Sequence, residues 1–328
     1  MKTVVVTEPI HEAGIAVLKR REDVELIEGR RLGAEALAQA LMRADAVAVR
    51  TFKLDAATLA RSNRLAVVAK HGVGCDNIDI AHLSGRGIPV AITASANKVA
   101  VAEQVLAFLL MIAKDPLAYD RAARAGDWAF RTSLKAYELD GRTMLIIGFG
   151  RIGREVAVRA RAFGMRVLVS DIAIDHAAAK ALGCIVVEDF RAHLAETDVL
   201  TVHVPKTPVT AGFIGAGEID AMKRGAVIIN CARGGIVAEA PLVAALQSGK
   251  LAAAALDVFD EEPLARDHPL LAAPNVWLSP HSAGSSAEAG RRMAVDTAQN
   301  ILDAFDGKLD PANTFNLAEL AAAAGRSV

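Results

Sequence analysis

The run Ile146-Ile147-Gly148-Phe149-Gly150-Arg151-Ile152-Gly153 sets three glycines in G-x-G-x-x-G spacing directly after an apolar stretch. A helix-like segment follows, and a second apolar run over 166–170 ends at Asp171. That order is the βαβ context of a dinucleotide site. Gly148 allows the tight turn, Gly150 lets the backbone approach a pyrophosphate, and Gly153 lets helix and strand pack closely. Free N–H groups at the helix start then favour the anion. Asp171 selects NAD over NADP, because a carboxylate accepts hydrogen bonds from a ribose diol and repels a 2′-phosphate. Arg151, Arg154, Arg159, Arg161 and Arg166 read as a solvated basic face.

Three later segments end apolar runs in reactive side chains. Ile228-Ile-Asn-Cys-Ala-Arg-Gly-Gly235 carries Arg233, which can grip a carboxylate with two parallel hydrogen bonds. Leu256-Asp-Val-Phe-Asp-Glu-Glu-Pro263 is acidic, and Asp260 and Glu261 read as its solvated part. Leu278-Ser-Pro-His-Ser-Ala-Gly284 carries His281. Strand carboxyl ends are where open α/β sheets bind ligands. A cation to hold a substrate, a histidine to move a proton and a carboxylate to orient it are the parts that hydride transfer needs. Arg233, His281 and Glu262 fit them.

The elements that must position these residues alternate. Candidate strands lie at 3–6, 24–26, 46–49, 66–69 and 89–91, with helical segments between them. A second series lies at 143–147, 166–170, 185–187, 199–202, 227–229, 253–256 and 276–278. This is the pattern of parallel α/β sheets. One long helix is predicted from Asn97, as N-cap, to about residue 125. A last helix, 286–305, returns the chain to the first unit. The expected fold is two doubly wound parallel-sheet domains. A Rossmann NAD-binding domain, 98–286, is inserted into a flavodoxin-like substrate domain, 1–97 and 287–328, with a cleft between them for the substrate.

Composition sets further bounds. The net charge of −1 argues against a nucleic-acid partner. With 53% hydrophobic and 23% charged residues the chain can bury sizeable cores. No apolar run is long enough to span a membrane, and the first residues read as a strand rather than a signal peptide. Cys75, Cys184 and Cys231 lack C-x-x-C spacing, which suggests reduced thiols in the cytoplasm and no metal site.

Taken in order, G-F-G-R-I-G, N-C-A-R-G-G, L-D-V-F-D-E-E-P and S-P-H-S-A-G resemble the D-isomer-specific 2-hydroxyacid dehydrogenase family, most closely its phosphoglycerate dehydrogenase-like branch. His71-Gly-Val-Gly-Cys-Asp-Asn-Ile-Asp79, Val101-Ala-Glu103, His203-Val-Pro205 and Thr210 extend the resemblance over nearly the whole chain. It implies an NAD-dependent oxidoreductase acting on a small 2-hydroxy or 2-oxo acid. Arg233 would bind the substrate carboxylate and carbonyl, His281 would be the acid/base, and Glu262 its partner. The backbone at Val73 and Gly74 would hold the carboxylate. His203, Val204, Pro205, Thr210, Cys231, Ala232, Asp257 and Gly284 would line the cofactor, with Asp257 facing the carboxamide. Family members are usually homodimers. Feedback control by a C-terminal extension is not expected.

The substrate is read from loop residues of the first unit. Arg50, Lys53, Lys70, His71, Asn97 and Lys98 follow its strands, and Lys53 and Asn97 are the ones assigned to the substrate. Several cations would favour a second anionic group, as in 3-phosphoglycerate, or a hydroxypyruvate-type substrate. With 4% aromatic residues there is little material for an aromatic pocket. The competing readings are an NADH-responsive corepressor-like module that binds protein partners, and formate or phosphonate oxidation.

Overall fold

The computed structural model describes residues 1–323 and 325. The chain divides into two compact units, Met1–Asn97 with Ser285–Val328, and Lys98–Gly284. The second boundary thus lies at Ser285 rather than at residue 287.

The first unit begins β1 (Lys2–Val6), α1 (Glu12–Lys19), β2 (Val24–Glu28), α2 (Ala34–Met42), β3 (Ala46–Val49), α3 (Ala56–Leu59), β4 (Val67–Lys70), α4 (Ile80–Gly85) and β5 (Val90–Ala91). Its strands pair in parallel in the order β2-β1-β3-β4-β5. Every residue of β3 and β4 is buried. A parallel sheet covered on both faces explains why these strands read as unbroken apolar runs instead of alternating ones. Alternate residues still point to opposite sides. Val5, Val47, Val68 and Val90 enter one core, while Val4, Ala46, Val67 and Ala91 enter the other.

The second unit runs α5 (Lys98–Lys114), α6 (Pro116–Arg124), β6 (Thr143–Ile147), α7 (Arg151–Ala162), β7 (Arg166–Ser170), α8 (His176–Ala181), β8 (Ile185–Val186), β9 (Val199–Val202), α9 (Ala216–Ala221), β10 (Ala226–Asn230), α10 (Glu239–Gln247), β11 (Leu251–Leu256), α11 (Pro269–Ala272) and β12 (Val276–Leu278). Its seven parallel strands are ordered β12-β11-β10-β9-β6-β7-β8. The order reverses between β6 and β9, which marks the crevice for a ligand beyond the strand ends. Two cores flank this sheet as well, one from Met144, Ile146 and Val169 with α5 and α7, the other from Leu145, Leu168 and Leu200 with α9 and α10. The chain closes in the first unit with α12 (Ala287–Phe305), capped by Ser286, and α13 (Leu317–Ala323). There α12 contributes Ala298 and Ile301 to the core beneath β1 and β4.

The single long helix predicted from Asn97 is broken in two. Pro116 has no N–H and crowds the turn before it. Asp115 takes a left-handed conformation, φ 41°, and its carboxylate accepts from Ala118 N–H at 3.3 Å to start α6. Asn97 does not act as the predicted N-cap either, since its Oδ1 is buried without a hydrogen-bond partner. Among the described residues no helix is long and apolar enough to cross a membrane.

Candidate active site

β10, β11 and β12 are neighbours in the sheet of the second unit, so the loops that leave their carboxyl ends lie side by side. Arg233 follows β10, Glu262 follows β11 and His281 follows β12. His281 Nδ1 and Glu262 Oε2 are 2.7 Å apart. The other carboxylate oxygen of Glu262 accepts from Phe259 N–H at 3.0 Å, which fixes its direction. His281 is exposed and sits in the left-handed region, φ 51°.

Asp257 holds the His281 loop in that conformation. It is 1% exposed, and its carboxylate accepts from the Ser279 hydroxyl, from Ser282 N–H at 2.8 Å and from Ala283 N–H at 2.9 Å. Its carbonyl accepts from His281 N–H at 2.8 Å. Asp257, the residue expected to face a cofactor carboxamide, is thus also the brace of the His281 loop. Asn230 does the same for the arginine loop. Its Oδ1 accepts from Ala232 N–H at 3.0 Å and its Nδ2 donates to Arg233 O at 2.9 Å. Sequence reasoning passed over Asn230, although an asparagine just after a strand is a turn signal. Gly234 lets the two loops meet, because a Cβ there would lie 1.7 Å from Phe259 O.

The glycine turn follows β6. A Cβ on Gly148 would lie 2.6 Å from His203 O, and one on Gly153 would lie 2.1 Å from Gly148 O. Around Gly150 there is open space, and no side chain caps the N–H groups at the start of α7. An uncapped helix start behind an open glycine fits a pyrophosphate. Asp171 Oδ2 accepts from Phe149 N–H at 2.7 Å and Oδ1 from Ala173 N–H at 2.9 Å, so the acid braces this turn. Arg151 is exposed and Ile152 half-buried beside it. Arg154, Arg159 and Arg166 are spent on Asp175, Glu155 and Glu196, and Arg161 donates to Met165 O.

On the opposite side of the switch point, His203 and Val204 are partly exposed, and Pro205 is exposed. The Thr210 hydroxyl closes that loop on Pro205 O at 2.7 Å. Burial drives the His203 pKa down to about 4, and its Nδ1 is buried without a partner. Cys231 is buried, and burial followed by the nearby Asp257 pushes its thiol far up, which suits a lining residue and not a nucleophile. Ala232 is half-buried beside it, and Gly284 ends the His281 loop.

In the first unit, Val73 and Gly74 lie half-buried in the loop after β4. Glu8, another residue missed from sequence, gathers the loop after β3. Its carboxylate accepts from Arg50 N–H at 2.7 Å, from Thr51 N–H at 2.8 Å and from Phe52 N–H at 3.0 Å. Burial opposes its ionisation, but the Thr51 hydroxyl and these three N–H groups hold its pKa below the usual carboxylate value. Lys70 Nζ donates to Arg50 O and Asn77 Oδ1. Lys53 pairs with Asp55 at 3.3 Å and its side chain is 79% exposed. Lys98, in the other unit, pairs with Glu155 at 2.8 Å. Arg50 is exposed and makes no ion pair among the described residues.

A family model described as D-isomer specific 2-hydroxyacid dehydrogenase, NAD binding domain, matches residues 106–283. A D-3-phosphoglycerate dehydrogenase of Archaeoglobus fulgidus is 39% identical over 316 residues, covering 96% of this chain and 59% of its own length. This chain therefore spans little more than half of that relative. A glyoxylate reductase of Aeropyrum pernix is 37% identical over 318 residues, 94% of each chain. The crystal structure of a D-lactate dehydrogenase from Aquifex aeolicus, complexed with NAD and lactic acid, superposes with a TM-score of 0.81 at 27% identity, covering 94% of this chain and 96% of that one.

Proposed function

This chain belongs to the D-isomer specific 2-hydroxyacid dehydrogenase family, and on that premise we propose that it is an NAD-dependent dehydrogenase interconverting a small 2-hydroxy acid and its 2-oxo acid. The observation that carries the reading is the 2.7 Å His281–Glu262 pair on a strand end adjacent to that of Arg233. When bound, NAD supplies or takes up the hydride. Arg233 grips the substrate carboxylate and polarises its carbonyl. Glu262 at Nδ1 fixes the ring, so that Nε2 of His281 takes the hydroxyl proton on oxidation and returns it on reduction. The backbone at Val73 and Gly74 adds N–H groups for the carboxylate. Gly148, Gly150, Arg151, Ile152 and Gly153 hold the pyrophosphate, and Asp171 the ribose. His203, Val204, Pro205, Thr210, Cys231, Ala232, Asp257 and Gly284 enclose the nicotinamide end.

The substrate side draws on Asn97 and Arg50. Lys53, 79% exposed and paired only at the surface with Asp55, remains a candidate for a second anionic group of the substrate. The relatives compared carry dehydrogenase and reductase names, so the corepressor reading is set aside. In the reading advanced here the enzyme is a cytoplasmic homodimer. Helix α6 buries none of its residues, and Leu117, Trp128 and Leu134 nearby are exposed, which a second copy would cover.

The test is NADH oxidation with hydroxypyruvate, glyoxylate, pyruvate, oxaloacetate and 2-oxoglutarate, beside NAD reduction with 3-phosphoglycerate. Turnover of at least one is expected. NADH binding without turnover of any would remove the dehydrogenase reading.

A further inference from the structure

Helix α10 opens on Glu239, a glutamate whose side chain is only 12% exposed. Both of its carboxylate oxygens find partners inside the second unit. Oε1 accepts from Asp260 N–H at 2.9 Å. Oε2 lies 3.2 Å from Nε2 of His268, the residue that caps α11. His268 Nδ1 accepts from Leu270 N–H at 3.3 Å. That bond leaves the ring proton on Nε2, which donates it to Glu239. Leu270 is fully buried in the core it shares with Leu242 and Val243 of α10, so the cap is seated on packed apolar side chains.

Asp260 and Phe259 belong to the loop after β11 that carries Glu262. Their two successive N–H groups reach two different carboxylates: Phe259 N–H donates to Glu262 Oε1 at 3.0 Å, and Asp260 N–H to Glu239. Glu262 Oε2 in turn meets His281 Nδ1 at 2.7 Å. The contacts therefore run without a break from α11 through His268, Glu239 and the 259–260 backbone to Glu262 and His281. The peptide joining Phe259 to Asp260 has its N–H on Glu239 and its carbonyl against Gly234. A rotation at Phe259 would carry the support of Glu262 with it. Hydrogen bonds to a carboxylate are stronger than those to a neutral acceptor, and a donor stripped of its partner is costly, so Glu239 is a stiff support. The reaction proposed above uses neither Glu239 nor His268.

We infer that Glu239 is a positioning residue for the Glu262–His281 pair, acting through the 259–260 backbone with His268 behind it. The inference rests on the dehydrogenase reading and concerns how its proton-transfer pair is held.

The experiment follows steady-state NADH oxidation by the full chain with the 2-oxo acid of the panel above that it reduces fastest, and NADH affinity by fluorescence titration. Glu239→Ala frees Asp260 N–H and should lower kcat roughly 10- to 100-fold, since a displacement of about 1 Å at reacting groups has effects of that size. KM and NADH affinity should stay within about 3-fold, because Arg233 and the glycine turn are untouched. Glu239→Gln keeps an oxygen for Asp260 N–H and should restore most of the rate. His268→Leu should lower kcat less than Glu239→Ala does. Coupling separates positioning from general support. Once Glu262→Gln has loosened the pair, adding Glu239→Ala should lower kcat no more than about 2-fold further. The full loss repeated in that background assigns Glu239 a merely structural role and overturns the inference, as does an unaltered kcat in Glu239→Ala. If Glu239→Ala does not fold, the same cycle with His268→Leu decides between these outcomes. An unaltered protein that turns over no 2-oxo acid removes the dehydrogenase reading itself, before any variant is made.

Discussion

His281 holds a left-handed backbone conformation that histidine tolerates better than most residues. Asp257 keeps it there through three side-chain hydrogen bonds, and Glu262 orients the ring. Replacing His281 by Ala removes the proposed proton carrier but none of those braces. Its kcat should fall roughly 10²- to 10⁴-fold while NADH affinity, followed by fluorescence titration, stays unchanged. A rate near that of the unaltered protein would take His281 out of the mechanism. His203 makes a separate prediction about pH. Burial lowers its folded pKa to about 4, below the value of about 6.5 in the unfolded chain. The unfolded state therefore binds more protons between these values, and stability is lost as pH falls through that window. Urea unfolding at pH 7 and pH 5 should show a loss on the order of 2 kcal/mol that His203→Gln does not suffer. Identical pH dependence in the two proteins would mean that the ring is solvated.

The proposed working unit at the element scale is the set of three loops leaving β10, β11 and β12. Their contact depends on Gly234, where the backbone of the arginine loop meets Phe259 O. Gly234→Ala must push the loops apart, because the obstructing atom is backbone and cannot rotate away. We expect a cost of about 1–3 kcal/mol in unfolding free energy and a larger proportional loss of kcat. Unaltered turnover in this variant would show that the loops can separate without harm. The break between α5 and α6 is the other decision at this scale. Helical spacing continues through Asp115 and Pro116, so apolar periodicity extends the helix there, while proline chemistry ends it. The proline was visible in the sequence and was outweighed by the periodicity.

For the whole molecule, the proposed second copy would cover Leu117, Trp128 and Leu134, which the chain leaves exposed. Light scattering should give the mass of two chains, and Trp128→Lys with Leu134→Lys should lower it toward one. A single-chain mass for the unaltered protein would sink the homodimer. The length comparison also operates at this scale. The phosphoglycerate dehydrogenase relative has residues beyond the aligned part, while the glyoxylate reductase matches over 94% of both chains.

Parallel strands covered on both faces write themselves into the sequence as unbroken apolar runs, and a chemical group placed just after each run lies at a ligand-binding edge. Those are local signals, which is why the strands, the glycine turn with Asp171, and the positions of Arg233, Glu262 and His281 were legible without coordinates. Strand order is not local. Only the sheet sequence β12-β11-β10 brings Glu262 to His281 and turns the Asp257 carboxylate toward Ser279, Ser282 and Ala283. Side-chain partners are decided in the same way. Asn97 carries the residue type of an N-cap, yet its Oδ1 is left unpaired, and Lys53 carries the charge for an anion but meets Asp55. A residue's type states which hydrogen bonds it can make. The packing of elements distant in sequence determines which of them it does make.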